Sequence, residues 1–343
     1  MTTPRNQAPL IPVIAGDLIG RDLTPHILKL ADAAGAQARW RVIDQPLITQ
    51  GEERGALSDE LLETIKDARV ALKGPFSTPD GLGKLSPSVM LRKQLNLFAG
   101  VRHIRSLKGL SSRYPDLDFV IVRENTEDVY AGLEHTVYPG VVESIKVVTR
   151  QASERVFHFA YQLAQRQGHD QVAIIHKANI MKQSDGLFLN VGREVAAQYP
   201  ELQTRDLIVD NTCMQMVMWP EQFQVVVCGN LYGDILSDVG AGLVGGISAT
   251  WGEDHGEGVA IFTAIHGRAP ELMGRDLANP LPMLMPTIAL LRHLGQDQAG
   301  ERIHAAIERV LSEGEYLTQD LGGAASTTEM MRALHRALPP ESA

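Results

Sequence analysis

Cysteine is nearly missing from this chain of 343 residues, which holds only Cys213 and Cys228. Two thiols in so long a chain do not make a disulfide framework, and the default that leaves is a reducing cytoplasm. Long apolar runs are lacking as well, and none reaches membrane-spanning length. Met1 to Pro9 is polar with no hydrophobic segment, so it reads as a frayed tail rather than a secretory signal. Positive charge is not in excess either: the net charge is -9, the pI about 5.7, and basic clusters such as Arg102 to Lys108 are short. That argues against an electrostatic nucleic-acid surface. Repeats and low-complexity linkers are absent. What is present is a chain 44% hydrophobic, ample for a sizeable core and for two lobes.

The pattern alternates strand and helix almost throughout. Leu10 to Ala15, Trp40 to Ile43, Val70 to Lys73, Phe119 to Val122, Val172 to Ile175, Leu202 to Val209 and Val225 to Cys228 read as strands. Helices are expected from Asp22 to Ala34, Asp59 to Asp67, through Leu91, Leu95 and Phe98, from Ala152 to Gln167 closed by Gly168, and from Asp185 to Gln198. Phe76 to Ser88, rich in Gly, Pro and Ser, reads as a loop. Tyr130 to Val148, with Pro139-Gly140 in its middle, reads as a hairpin-like arm. Ser326-Thr327-Thr328-Glu329 is a capping box before the last helix. The class is therefore α/β with a largely parallel sheet.

The most informative stretch runs from Gly229 to Asp238. An unbroken apolar run, Val225 to Cys228, ends at Gly229, and Ile235, Leu236, Val239 and Leu243 then recur at helical spacing. A buried strand thus stops and a helix starts near Gly233. Asp234 and Asp238 fall one turn apart on one face of that helix, where like charges repel. Either Asp234 favours the helix N-terminus through the dipole, or the pair binds a divalent cation through oxygen. Gly240 to Gly245 matches GxGxxG, but it follows a helix that has already begun, so it reads as helix-end and turn glycine rather than a Rossmann fingerprint. Arg92, Arg102, Arg123 and Lys177, with Asp210 just past a strand, sit in polar words at element ends. Each alone reads as a solvated surface residue. Together they suggest a polyanion beside a metal.

Four words carry a wider resemblance: RENTEDVYAGLEH from Arg123, HKANIMKQSDGLF from His176, NLYGDILSD from Asn230 and HGRAPELMGRDLANP from His266. The sequence resembles the β-decarboxylating dehydrogenases of the isocitrate/isopropylmalate dehydrogenase family, from GDLIG near Gly16 to DLGG near Asp320. It looks most similar to the NAD-linked isocitrate members. The resemblance implies a two-lobed α/β fold with a central cleft, not a Rossmann domain. Residues 1–97 with 250–343 would form the large lobe. Residues 98–249 would form the small one, with an arm at about 130–148 clasping a partner in a homodimer or larger homo-oligomer.

The resemblance also implies roles. Ser86, Ser88, Arg92, Arg102 and Arg123 would hold the substrate. Asp234 and Asp238, with Asp210 from the neighbouring protomer, would bind Mg2+ or Mn2+. Lys177, also entering the neighbour's site, would serve the base step, its pKa lowered by surrounding cations. Tyr130 would return a proton to carbon after CO2 leaves. Ser77, His266, Gly267, Arg268, Ala269, Glu271 and Asn279 would bind the cofactor. Glu271, where NADP-linked relatives have lysine, repels a 2′-phosphate and accepts from ribose hydroxyls, so the cofactor is expected to be NAD.

The implied reaction is oxidative decarboxylation of a 3-substituted malate to a 2-oxo acid and CO2. The hydroxyls of Ser86 and Ser88 favour a polar or anionic 3-substituent and disfavour isopropylmalate. Three positions depart from the family pattern. Thr263 replaces a glutamate and Arg268 a threonine, which makes the cofactor side more positive, and His103 replaces a proline. These departures leave room for a paralogue acting on homoisocitrate, tartrate or a phosphonate-bearing malate. The reading of a different class is a non-catalytic regulatory subunit of a hetero-oligomeric isocitrate dehydrogenase, which would be expected to have lost the chemical residues. A small-molecule substrate, no nucleic acid and no membrane complete the expectation.

Overall fold

The computed structural model describes residues 8–43, 48–49, 56–76, 86–267 and 269–340. In chain order its strands are β1 (Leu10–Ile14), β2 (Arg39–Ile43), β3 (Ile48–Thr49), β4 (Ala56–Leu57), β5 (Val70–Lys73), β6 (Ala99–Arg105), β7 (Asp118–Glu124), β8 (Glu134–Tyr138), β9 (Val141–Ser144), β10 (Gln171–His176), β11 (Gln203–Ile208), β12 (Val225–Cys228), β13 (Thr250–Gly256) and β14 (Val259–Thr263). The helices are α1 (Ile19–Ala33), α2 (Asp59–Ala68), α3 (Pro87–Gln94), α4 (Arg150–Gln167), α5 (Ser184–Ala196), α6 (Val209–Met218), α7 (Asn230–Leu243), α8 (Leu281–His293), α9 (Asp297–Glu313) and α10 (Thr327–Ala337). Ser77, Arg268, the tail from Met1 to Gln7 and most of the Gly- and Pro-rich loop lie outside the described residues.

A ten-stranded sheet runs through the protein in the order β11-β10-β12-β7-β6-β13-β14-β5-β1-β2. Its two ends are parallel. Its middle is not, because β6 pairs antiparallel with both β7 and β13, and β13 with β14. Strands from residues 99–228 fill one half of the sheet and strands from 10–73 and 250–263 the other, so β6 and β13 form the seam. The apolar core crosses it: Ile11 and Leu72 belong to the same buried cluster as Ile121, Ile175 and Val226. A second cluster, with Phe157 of α4, Phe188 of α5, Ile174 and Val227, covers the opposite face of the first half. Val226 and Val227 thus point to opposite cores, as strand alternation requires when both faces are buried.

Several boundaries differ from the sequence expectation, each for a local reason. The helix of the Gly229 stretch begins at Asn230, not near Gly233. Gly233 sits inside it because a Cβ there would lie 2.6 Å from Cβ and Cγ of Arg123, so only glycine lets α7 ride this close over β7. Asp234 therefore lies beyond the first turn, and its dipole explanation fails. The helix through Leu91 stops at Gln94. Asn96 adopts a positive φ of 46°, and the chain turns into β6 before Phe98 can join the helix. Ser86 ends the loop as the N-cap of α3, accepting the Val89 N–H at 3.3 Å. The arm forms as an antiparallel hairpin, β8 with β9. The final capping box, Ser326 with Glu329, is made in full.

Gly233→Ala should force α7 away from Arg123. An overpacking cost of about 1–3 kcal/mol is expected, read as a lower denaturation midpoint. An unchanged midpoint would show that α7 has room to shift.

Candidate active site

Alternation along the two seam strands builds the site. Arg102 and Gly252 pair across β6 and β13 and face one side, as does Asp254. A Cβ on Gly252 would stand 2.5 Å from Arg102 Nη1, so glycine opens the space the guanidinium fills. That side is a cleft of about 210 Å3 lined by Lys73, Ser88, Arg92, Arg102, Asp234, Asp238, Thr263 and His266, among others. The cations come from the end of β5, from α3 and from β6. The carboxylates Asp234 and Asp238 come from one face of α7.

Arg123 is buried and donates from Nε to Asn230 Oδ1 at 2.8 Å. Its Nη1 pairs with Asp234, whose other oxygen accepts the Tyr130 hydroxyl. The Tyr130 ring packs against the same guanidinium, 5.0 Å from its carbon. Burial, then the Asp234 bond, raises the Tyr130 pKa. Burial by itself would raise the Asp234 carboxyl too, but Arg123, Tyr130 and Arg92 together hold it low. Asp128 supports this corner from a left-handed φ of 70°, accepting the N–H of Val129 at 2.8 Å and of Leu231 at 3.1 Å. The tyrosine turn, Val129–Ala131, is thereby tied to the start of α7.

Two residues that sequence reasoning passed over complete the charge pattern. Asp254, almost wholly buried, accepts Arg92 Nε at 3.2 Å and Asn125 Nδ2 at 2.8 Å and lies 3.9 Å from Arg102 Nη1. Against the desolvation of its own burial, Arg92, Arg102 and Lys73 keep its pKa at about 2. Arg102, buried among cations, is brought down to about 10. Lys73 is buried with its ammonium donating to the Gly74 carbonyl at 3.0 Å, and burial, with Arg92 and Arg102 added, lowers its pKa to about 7. In the single chain the lysine crowded by arginines is thus Lys73. A lysine closing a buried apolar strand directly before Gly74-Pro75 was the available signal.

The other expected residues divide. Ser88 lines the cleft, while Ser86 spends its hydroxyl on the helix cap. Lys177 and Asp210 are not at this cleft. They pair with each other, and the Lys177 backbone N–H is held by Asp185 at 2.7 Å. His266 is buried, with Nδ1 2.8 Å from the Gly267 carbonyl and Nε2 without a partner. Gly267 and Glu271 are exposed, and Ala269 takes a left-handed φ of 39°. Asn279 is engaged on both sides, donating to Ser248 at 2.9 Å and Asp320 at 2.8 Å and accepting the Leu281 N–H. Thr263 lines the cleft, paired with Gly252 of the neighbouring strand. His103 points to the opposite face of the sheet, stacked on Trp251 at 4.5 Å.

Asp234 and Asp238 are hard oxygen donors at one-turn spacing on a wall of the cleft, which suits Mg2+ or Mn2+. Among the described residues no three acidic, histidine or cysteine side chains converge as a closed metal site. The unpartnered, buried Nε2 of His266 at the cleft edge is a polar atom that a bound cofactor can satisfy.

A family model described as isocitrate/isopropylmalate dehydrogenase matches residues 10–334. The chain belongs to the isocitrate/isopropylmalate dehydrogenase family. It is 46% identical over 320 residues to the mitochondrial NAD isocitrate dehydrogenase catalytic subunit 5 of Arabidopsis thaliana, covering 93% of this chain and 86% of that protein. It is 42% identical over 320 residues to a mitochondrial NAD isocitrate dehydrogenase regulatory subunit of Dictyostelium discoideum, covering 93% and 89%. The crystal structure of isocitrate dehydrogenase from Methylococcus capsulatus superposes with a TM-score of 0.89 at 39% identity, covering 96% of this chain and 99% of that one. The family accounts for the two-sided α/β architecture and the cleft. The cytoplasmic expectation is corrected by the Arabidopsis and Dictyostelium relatives, which are mitochondrial. Few cysteines exclude a disulfide framework but do not choose among compartments that lack one.

The Lys73 pKa has a measurable consequence. Below pH 7 both folded and unfolded chains carry the proton, and the folded state bears the cost of burying the charge. Between about 7 and 10.5 only the unfolded state keeps the proton, so stability rises with pH across that window. Lys73→Met should raise the melting temperature clearly at about pH 6 and much less at about pH 9. An equal shift at both would remove the titration of Lys73 from the account.

Proposed function

We propose that the chain is an NAD-dependent, metal-requiring dehydrogenase that oxidatively decarboxylates a 3-substituted malate of the isocitrate type. The observation that carries this reading is the convergence of Lys73, Arg92 and Arg102 on a cleft whose other wall presents Asp234 and Asp238, with Arg123 and Tyr130 bonded to Asp234. Arg92, Arg102 and Arg123 hold the substrate carboxylates, and Ser88 offers a hydroxyl to the 3-substituent. Ser86 joins it if α3 gives up its cap. Asp234 and Asp238, with Asp210 of a second copy, hold Mg2+ or Mn2+. When bound, the cation supplies Lewis-acid assistance at the substrate oxygens. NAD would supply the acceptor for the C2 hydride; Lys177 of the second copy would take the hydroxyl proton, and Tyr130 would return one to the carbon that loses CO2. Ser77, His266, Gly267, Arg268, Ala269, Glu271 and Asn279 would bind the cofactor.

A second copy is part of the proposal. The arm exposes Leu133, Val137, Tyr138, Val142 and Ile145, α6 and the residue after it expose Met214, Val217, Met218 and Trp219, and α7 exposes Ile235. An apolar surface of this extent is what an interface between protomers covers. The two lobes are proposed to be residues 1–97 with 250–343 and residues 98–249, meeting at the β6–β13 seam. The similarity to a protein named as a regulatory subunit keeps the non-catalytic reading in view. It is disfavoured because Tyr130, Lys177, Asp210, Asp234 and Asp238 are all retained.

Initial rates with NAD and Mn2+ across 3-substituted malates test the reading. Isocitrate or another anionic analogue should exceed isopropylmalate by about 100-fold or more in kcat/KM, EDTA should abolish turnover, and NADP should serve poorly. No turnover of any analogue would favour the regulatory reading, and a preference for isopropylmalate would overturn the substrate assignment. Tyr130→Phe should slow the overall reaction while still reducing the 2-oxo acid. Full overall activity in that variant would remove Tyr130 from proton return.

A further inference from the structure

The same seam strands that present Arg102 and Asp254 to the cleft present their odd-numbered neighbours to a second cavity on the opposite face of the sheet. It measures about 420 Å3 and is walled by α4 on one side and α8 on the other. Its floor is His103 of β6 with Glu253 and His255 of β13. Arg166 comes from the last turn of α4, and Arg292 and His293 from the end of α8. No role assigned to the catalytic cleft uses any of these six.

The charges of this cavity do not cancel. Glu253 is taken up by the histidines, 2.9 Å from His103 Nε2 and 2.8 Å from His255 Nε2. Burial alone would raise its pKa, but the two rings hold it well below the usual carboxylate range, so it stays ionised and occupied. Arg105 and Asp118 at the rim neutralise each other at 3.4 Å. Arg166 has no carboxylate within ion-pair distance among the described residues, and its guanidinium only lies against the Phe159 ring at 5.8 Å. Arg292 binds Glu301 at 2.6 Å through one nitrogen, which leaves the rest of its fork free. His293 meets only rings, those of Phe262 and His255. Arg166 of α4 and Arg292 of α8 therefore bring guanidinium donors to a cavity whose own carboxylates, Glu253 and Asp118, are already engaged by His103, His255 and Arg105.

We propose that this rear cavity is a binding site for a small polyanion, either inorganic phosphate or a short polycarboxylate. Arg166 and Arg292 grip it from the two helices, with His293 beside them. The cavity is roomy enough to admit such an ion with its water. Planar guanidinium forks from two directions match carboxylate or phosphate oxygens.

Calorimetric titration of the intact protein with inorganic phosphate, and separately with tricarballylate, tests the site. Tricarballylate has no hydroxyl to oxidise, so binding is read without turnover and regardless of what the front cleft catalyses. The comparison is wild type against Arg92→Ala, which weakens the front cleft, and against Arg166→Ala and Arg292→Ala. Arg166 is exposed and Arg292 half-buried beside Glu301, and circular dichroism checks the fold of both variants. At least one probe should bind Arg92→Ala with wild-type affinity and lose about tenfold or more in each helix variant, equivalent to about 1.4 kcal/mol. Which probe does so decides between phosphate and polycarboxylate. Any other pattern overturns the proposal, including no binding, or loss confined to Arg92→Ala.

Discussion

Two guanidinium groups, those of Arg102 and Arg123, lie inside this protein at the middle of its sheet, and the arrangement around them follows from that. A buried cation without a counter-charge is costly enough to unfold a domain of ordinary stability. Arg123 is answered by Asp234 and Asn230, Arg102 by Asp254. Each answer fixes a piece of architecture. Asp234 must sit on the first half of α7, so α7 must run close over β7, so position 233 must be glycine. Asp254 must face Arg102 across the seam, so β13 must lie beside β6 with Gly252 opposite the guanidinium. Tyr130 then stacks on a group that was already immobile, and its hydroxyl is directed by a carboxylate that was already placed.

The parts of this that could be read in the sequence were those with one periodicity and one buried face. The strand Val225–Cys228, the helix after it, the amphipathic α4 with its glycine stop and the capping box of α10 all announce themselves through spacing. The seam did not. The segment from Thr250 to Gly256 carries Trp251, Glu253, Asp254 and His255, which looks like a polar loop. It is a strand whose two faces both meet polar cavities, so no apolar alternation marks it. The start of β6 was hidden differently, because Leu91, Leu95 and Phe98 continue a helical rhythm past the point where Asn96 has ended the helix. Likewise α6 begins at Val209 directly after β11 ends at Ile208, with no turn residues between them.

The candidate site shows the same division. Asp234, Asp238, Arg123 and Tyr130 stand in long words, and Arg92 and Arg102 in short polar ones at element ends. Lys73 and Asp254 are single charged letters next to apolar or glycine neighbours, and only their burial and their pairing distances reveal them. In the single chain Asn279 bonds Ser248 and Asp320, and Ser86 caps α3, partners that no residue type announces.

Asp254 also changes what kind of receptor the cleft is. With a resident carboxylate already seated on Arg92 at 3.2 Å, the cleft behaves as an ion exchanger rather than an open cation. An incoming monoanion only trades one carboxylate for another and gains little. A ligand profits when it brings further negative charge within reach of Lys73 in the same event, so the internal acid favours ligands of higher valence. It does so at every ionic strength at which the protein folds, because the counter-ion is part of the chain and is not diluted or screened away.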